Sequence, residues 1–151
     1  MRIGFTCGTF DLMHAGHVAM FAAAKEVCDF LLVGIKIDPS VDNPRKNKPI
    51  QSIVERQMIV ESCEYVDKTI VYETEKDLLD ILSIFKIHVR IAGEDHLDNP
   101  SLETRLGEDH LDNPSLETRE RQEICKKRGI EIYYNERKHR FSTSELRKRI
   151  K

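Results

Sequence analysis

Two imidazoles three residues apart lie inside a short turn-forming stretch, Gly8-Thr9-Phe10-Asp11-Leu12-Met13-His14-Ala15-Gly16-His17. The stretch follows an apolar run, Ile3 to Cys7, and leads into a helix-like run, Val18 to Val27. It reads as a strand, a tight glycine turn and a helix start. Gly8 lets the backbone come close to a ligand. The first N–H groups of a helix are unpaired and carry partial positive charge, so this corner suits an anion. The spacing lets His14 and His17 share one face of the first helical turn, where an imidazole can donate a hydrogen bond. Such donors suit a transfer in which charge builds on phosphate oxygens, a reaction that needs preorganised donors more than a covalent nucleophile.

Basic groups recur at three further places. Arg45, Lys46 and Lys48 fall in a polar, proline-containing loop, residues 42–48. Arg56 follows Glu55 in a helix-like run. Arg137, Lys138, His139 and Arg140 precede Ser142-Thr143-Ser144-Glu145, which has capping-box spacing before a basic helix. Serine and threonine hydroxyls beside the bare N–H groups of a helix start form a second anion site, and arginine brings a fixed fork for phosphate oxygens. Cys7, Cys28, Cys63 and Cys125 are scattered without C-x-x-C or zinc spacing, which reads as unreactive thiols in a reducing compartment. Cys7 is assigned no catalytic role. No dedicated metal site is expected, and His96 and His110, each in a Glu-Asp-His-Leu-Asp context, are read as parts of a solvated loop.

The elements that must position these groups alternate. Strand-like runs at residues 2–6, 30–37, 68–72, 88–92 and 130–134 are separated by helix-like runs at 17–27, 54–63, 76–85 and 119–128, with a last helix at 146–151. The run Phe-Leu-Leu-Val-Gly-Ile-Lys-Ile is nearly continuous in apolar residues, as suits a parallel strand buried on both faces. Repeated β-α crossovers imply an α/β, doubly wound, mostly parallel five-stranded sheet with helices on both faces. Ligands bind such sheets at the carboxyl ends of strands, near a topological switch point. The histidine turn follows the first strand, and Gly93-Glu94-Asp95 follows the fourth, so both could line one crevice.

A chain of 151 residues is expected to form a single domain over 1–151. A net charge of −2 gives no global basic field, so nucleic acid is not an expected partner. No apolar run approaches the ~20 residues of a membrane span, and the N-terminus is too short in its apolar part for a signal peptide. A cytoplasmic protein without a membrane partner is expected. Residues 93–105 recur letter for letter at 107–119, with Leu106 between the copies. Two copies this short cannot build a solenoid, so the repeat reads as one duplication inside an ordinary domain. Glu94-Asp95 and Glu108-Asp109 then compete for the place beside the ligand.

The stretch Gly8–His17 resembles the G-T-F-D-x-x-H-x-G-H signature of the cytidylyltransferases within the HxGH nucleotidyltransferase superfamily, closest to the glycerol-3-phosphate cytidylyltransferase type. Arg137 to Ser144 partly resembles that type's R-T-x-G-I-S-T-T signature, with Arg140 where glycine stands and Ser144 where the last threonine stands. The resemblance implies a Rossmann-like fold and transfer of CMP from CTP to a small phosphorylated alcohol, glycerol 3-phosphate or similar, with release of pyrophosphate. It implies that His14 and His17 meet the nucleotide phosphates, with Lys46 and Arg137 completing the catalytic set. Gly8, Thr9, Phe10, Gly16, His17, Gly93, Asp95, Ser142 and Thr143 are the expected nucleotide-binding residues. Lys48, Arg56 and Arg140 are expected at the acceptor or its phosphate, and Asp11 is expected to orient the turn. Mg²⁺ would arrive with the triphosphate, and a homodimer is implied. Adenylyltransferases of the same superfamily share HxGH, so ATP is the alternative nucleotide. A nucleotide-binding module without turnover is the alternative of another class, and an α/β domain without any ligand is the third.

Overall fold

Five strands form one sheet in the order β3-β2-β1-β4-β5. The computed structural model describes residues 1–93, 114–135 and 143–150. In chain order these are β1 (Ile3–Gly8), α1 (Ala15–Val27), β2 (Phe30–Lys36), α2 (Pro39–Asp42), α3 (Ile53–Glu61), β3 (Lys68–Tyr72), α4 (Glu75–Ile84), β4 (Val89–Gly93), α5 (Pro114–Arg128), β5 (Glu131–Asn135) and α6 (Thr143–Ile150). Every strand pairing is parallel, where the sequence implied a mostly parallel sheet.

Alternation along β2 explains the layering. Leu31, Val33 and Ile35 enter one buried cluster with Phe21 and Ala24 of α1 and Val60 of α3. Leu32, between them, enters another with Leu78, Ile81 and Leu82 of α4 and Cys125 of α5. Successive side chains of a strand point to opposite faces, so a continuous apolar run is what a strand covered on both sides requires. α1 and α3 cover one face, α4 and α5 the other. The connections lead outward from β1 in both directions, which puts the switch point between β1 and β4. Those two strands register only at Gly4–Val89 and Phe5–Arg90, whereas β1 pairs with β2 from Ile3 to Gly8. Beyond those pairs, toward their carboxyl ends, β1 and β4 form no further register, and it is outside the carboxyl ends at such a switch point that a doubly wound sheet has its ligand crevice.

Local chemistry sets the element ends. Ser52 and Thr74 are capping-box residues for α3 and α4, reciprocated by Glu55 and Asp77. Gly129, at φ 69°, closes α5 in a left-handed turn, with Ile130 N–H on the Cys125 carbonyl at 2.8 Å, the pattern of a Schellman motif. α2 is an element the sequence reading missed. Asp38 caps it through the Ser40 N–H at 2.8 Å, with Pro39 in its first turn, a favoured place for proline. Those Ser40 contacts hold the Asp38 carboxyl below its usual pKa. Three helices start two or more residues earlier than the sequence suggested: α1 at Ala15, α5 at Pro114 inside the second repeat copy, and α6 at Thr143; α3 and α4 start one residue earlier.

One polar network ties the second layer together. Arg121 of α5 clasps the Glu75 carboxylate of α4 with Nε and Nη2, the latter at 2.5 Å. The Glu75 N–H donates to Asp42 at 3.0 Å, and Asp42 also receives Lys36 Nζ at 2.6 Å. Although burial opposes its charge, Glu75 holds the Arg121 guanidinium above its ordinary pKa.

Candidate active site

The turn between β1 and α1 is held in an unusual backbone shape. Phe10 and Leu12 have φ of 54° and 51°, the left-handed region that costs an ordinary residue about 1–2 kcal/mol. Gly8 is needed for close approach, since a Cβ there would lie 3.3 Å from the Phe10 ring. Phe10 itself turns inward. It is 5% exposed and packs on Phe21 and on His17, each with ring centroids 5.4 Å apart. The ring thus supports His17 from the buried side of the turn.

The two histidines cap their own helix. His14, in extended conformation at the N-cap, accepts the Gly16 N–H on Nδ1 at 3.0 Å. His17 accepts the His14 N–H on its Nδ1 at 3.1 Å. The result is a capping box built from two imidazoles in place of the usual serine and glutamate. Gly16, an expected nucleotide-binding residue, is buried, and its N–H is engaged by His14. A ring nitrogen that accepts carries no proton, so each neutral imidazole holds its proton on Nε2. The ring centroids are 4.0 Å apart, and in this tautomer the donor of each ring is Nε2–H. Two-bond ¹⁵N–¹H correlation spectra should show both rings as Nε2–H tautomers near neutral pH; an Nδ1–H signature at either ring would overturn this arrangement.

Arg56 lies inside the molecule, 2% exposed. Its guanidinium donates to the carbonyls of Thr9 (3.0 Å), Lys36 (2.6 Å), Ile37 (2.5 Å) and Gln51 (3.1 Å). Burial draws its pKa below the ordinary value, and the negative Asp11 and Asp38 oppose that. Where the resemblance implied an acceptor contact, the structure shows the Arg56 donors bracing the backbone beneath the turn. Asp11, 8% exposed, complements it by accepting the N–H groups of Ile50 and Gln51, both at 2.9 Å.

Arg45, Lys46 and Lys48 are exposed in the segment between α2 and α3. Asn43 shapes the start of that segment, accepting the Arg45 N–H on its side chain at 3.1 Å and the Lys46 N–H on its carbonyl at 2.9 Å. Lys48 lies near enough to Asp38 to help lower its pKa. Thr9 begins the turn, and its carbonyl is held by Arg56. Gly93 ends β4 across the crevice, with nothing within 4 Å of where a Cβ would stand. Thr143 opens α6. Asp95, Arg137, Arg140 and Ser142 lie outside the described residues, as do Glu94, His96, Glu108, Asp109 and His110 of the repeat. Among the described residues no three His, Cys, Asp or Glu side chains converge to hold a metal. The sequence reading did not single out Gln51, whose tie to the turn spans 39 residues and leaves no local pattern.

Comparison with known proteins adds a second line of observation. The cytidylyltransferase-like family model matches residues 5–149. An ethanolamine-phosphate cytidylyltransferase of Arabidopsis thaliana is 39% identical over 108 residues, 66% of this chain and 26% of that protein. The bifunctional protein HldE of Nitrobacter winogradskyi is 33% identical over 150 residues, 99% of this chain and 27% of that protein. HldE of Caulobacter sp. is 35% identical over 97 residues, 64% of this chain and 20% of that protein. The chain thus spans between 20% and 27% of the length of these relatives. A lipopolysaccharide core biosynthesis protein from Thermoplasma volcanium shares the fold, with a TM-score of 0.63, 21% identity, and coverage of 90% of this chain and 95% of that one. Thermotoga maritima TmcAL, solved with alpha-thio ATP, has a TM-score of 0.62 at 12% identity, covering 99% of this chain and 50% of that one.

Proposed function

This chain belongs to the cytidylyltransferase-like family, and from that premise we infer that it moves a nucleotidyl group from CTP to a small phosphorylated alcohol. A phosphate oxygen of the acceptor attacks the α-phosphorus. The bond from the α-phosphorus to the oxygen bridging it to the β-phosphorus breaks, and that oxygen leaves on pyrophosphate. The nucleophile is already an anion, so the protein needs no strong base and forms no covalent intermediate. Its task is to position two phosphorylated partners and neutralise the charge that develops.

The observation that carries this reading is the imidazole pair, two donors with fixed tautomers at the start of α1 and beside the switch point between β1 and β4. His14 and His17 would donate to the α- and β-phosphate oxygens. Lys46 and Lys48 would bring positive charge to the triphosphate, and Thr9 a hydroxyl. Gly8 and Gly93 would leave room for the nucleotide, Arg137 and Arg140 would hold the acceptor, and Asp95, Ser142 and Thr143 would complete the nucleotide contacts. Mg²⁺ belongs to the substrate in this reading. Such an ion is held mainly by triphosphate oxygens and water.

The name of the Arabidopsis relative supports CTP and an amino-alcohol phosphate, so ethanolamine phosphate stands beside glycerol 3-phosphate among acceptors to be tried. The same reading includes a homodimer working in the cytoplasm. No helix among the described residues is long and apolar enough to cross a membrane.

Pyrophosphate release with Mg²⁺, measured with CTP and with ATP against a panel of phosphorylated alcohols, tests the reading directly. Release is expected with CTP and one acceptor. Release with ATP alone would move the chain to the adenylyltransferases. A melting temperature raised by CTP, with no release from any acceptor, would mark a binding module, because any ligand that prefers the native state must stabilise it.

A further inference from the structure

The lysine-bearing segment reaches the histidine turn through the side chains of Asp11, Arg56 and Gln51. Gln51 stands between the two groups of phosphate-seeking residues, and three of its atoms engage the turn or its brace. Its Oε1 accepts the Leu12 N–H at 2.8 Å. Its N–H donates to Asp11 at 2.9 Å, and its carbonyl accepts from Arg56 at 3.1 Å. Two of these contacts go through the main chain and survive any substitution that keeps the fold. The contact to Leu12 depends on the side chain alone.

Leu12 is where that contact matters. Among the described residues it is one of the two non-glycine residues with positive φ, a shape a leucine keeps only when its surroundings enforce it. It lies two residues before His14, whose own N–H must point at His17 Nδ1 for the imidazole box to close. A small rotation at Leu12 would therefore be passed to both rings. Lys46 and Lys48 are five and three residues from Gln51 along the chain, so whatever draws that segment toward a triphosphate also pulls on the Leu12 contact.

We propose that Gln51 is a positioning residue for the transfer reaction: its side-chain oxygen fixes Leu12 in the left-handed conformation and so couples the lysine segment to the orientation of the two histidines. This rests on the nucleotidyl-transfer reading. It gives Gln51 no contact with substrate. Its effect falls on the geometry of the donors in the transition state, and hence on kcat more than on the KM for nucleotide.

Two near-isosteric variants separate the acceptor from the volume. Gln51→Met fills a similar space without a strong acceptor. Gln51→Glu keeps an oxygen facing the Leu12 N–H. Gln51→Met is expected to lower kcat about ten- to a hundredfold, the scale of a misplaced reacting group, with the KM for CTP changed less than about threefold. Gln51→Glu is expected to recover most of that loss. Amide hydrogen exchange supplies a readout that needs no turnover: Leu12 should exchange faster in the Met variant and at close to the wild-type rate in the Glu variant. A Met variant with wild-type kcat and an unchanged Leu12 rate would overturn the proposal, as would equal losses in the two variants. A wild-type protein silent with every nucleotide and acceptor would sink the reaction reading itself, and the Leu12 exchange comparison would then decide the coupling on its own.

Discussion

Replacing His17 by alanine is expected to lower kcat by about 10²–10³-fold, the scale of removing one preorganised donor from a transition state, while the chain still folds. The ring has two edges with separate duties. Its Nδ1 accepts the His14 N–H and helps to start α1, and its Nε2–H is the donor assigned to phosphate. Losing the capping contact should cost about 0.5–2 kcal/mol of stability, visible as a modest fall in melting temperature. His17→Asn separates the two, since an amide oxygen can take the place of Nδ1 while nothing replaces Nε2. The Asn variant should regain most of the lost stability and little of the turnover. Pyrophosphate release measured beside thermal unfolding makes the comparison, and a folded His17→Ala protein with normal kcat would remove the histidines from the mechanism.

The second large effect is expected at Arg56. Its guanidinium serves four carbonyls from three stretches of chain, those of Thr9, Lys36 and Ile37, and Gln51. Arg56→Met would leave those carbonyls and the buried Asp11 without their cation. Removing one member of a buried charged cluster typically destabilises by about 3–5 kcal/mol. For a chain of this size that is a fall of roughly 6–20 °C in melting temperature. Arg56→Lys should recover only part, because an ammonium lacks the planar fork that reaches several acceptors at once. The opposite pattern, an unchanged melting temperature with a raised KM for the acceptor alone, would return Arg56 to the substrate-binding role implied by the sequence resemblance.

Arg56 and Phe10 also show where sequence reading stops. Strands with two buried faces announce themselves, as in the apolar run of β2, and β3 begins at Lys68 and ends at Tyr72 in both sequence and structure. The histidine turn was legible because glycine, imidazoles and the following helix are contiguous. Burial of Arg56 was not, since a Glu-Arg pair on a helix looks like a solvated ion pair until the turn, the end of β2 and the segment before α3 are folded around it. The placing of the Phe10 ring was hidden for a related reason: nothing in the motif signals a positive φ at Phe10 or a ring packed on Phe21. The early start of α1 was hidden by chemistry of another sort. Histidine is not among the favoured capping residues, and two of them capping each other leave none of the usual serine, aspartate or glutamate signals.

That reciprocal cap links the chain's history to its folding. If the proposed transfer is what the chain performs, selection for turnover and selection for an intact first helical turn act on the same two rings. A lineage that gave up the chemistry could not discard them without consequence, because each discarded ring uncaps α1. Inactive descendants would be held toward asparagine, serine or aspartate at positions 14 and 17, side chains that cap without presenting an Nε2 proton, and drift toward alanine would be slowed by its cost in stability. The substitutions tolerated at these two positions would then distinguish loss of catalysis from loss of structure.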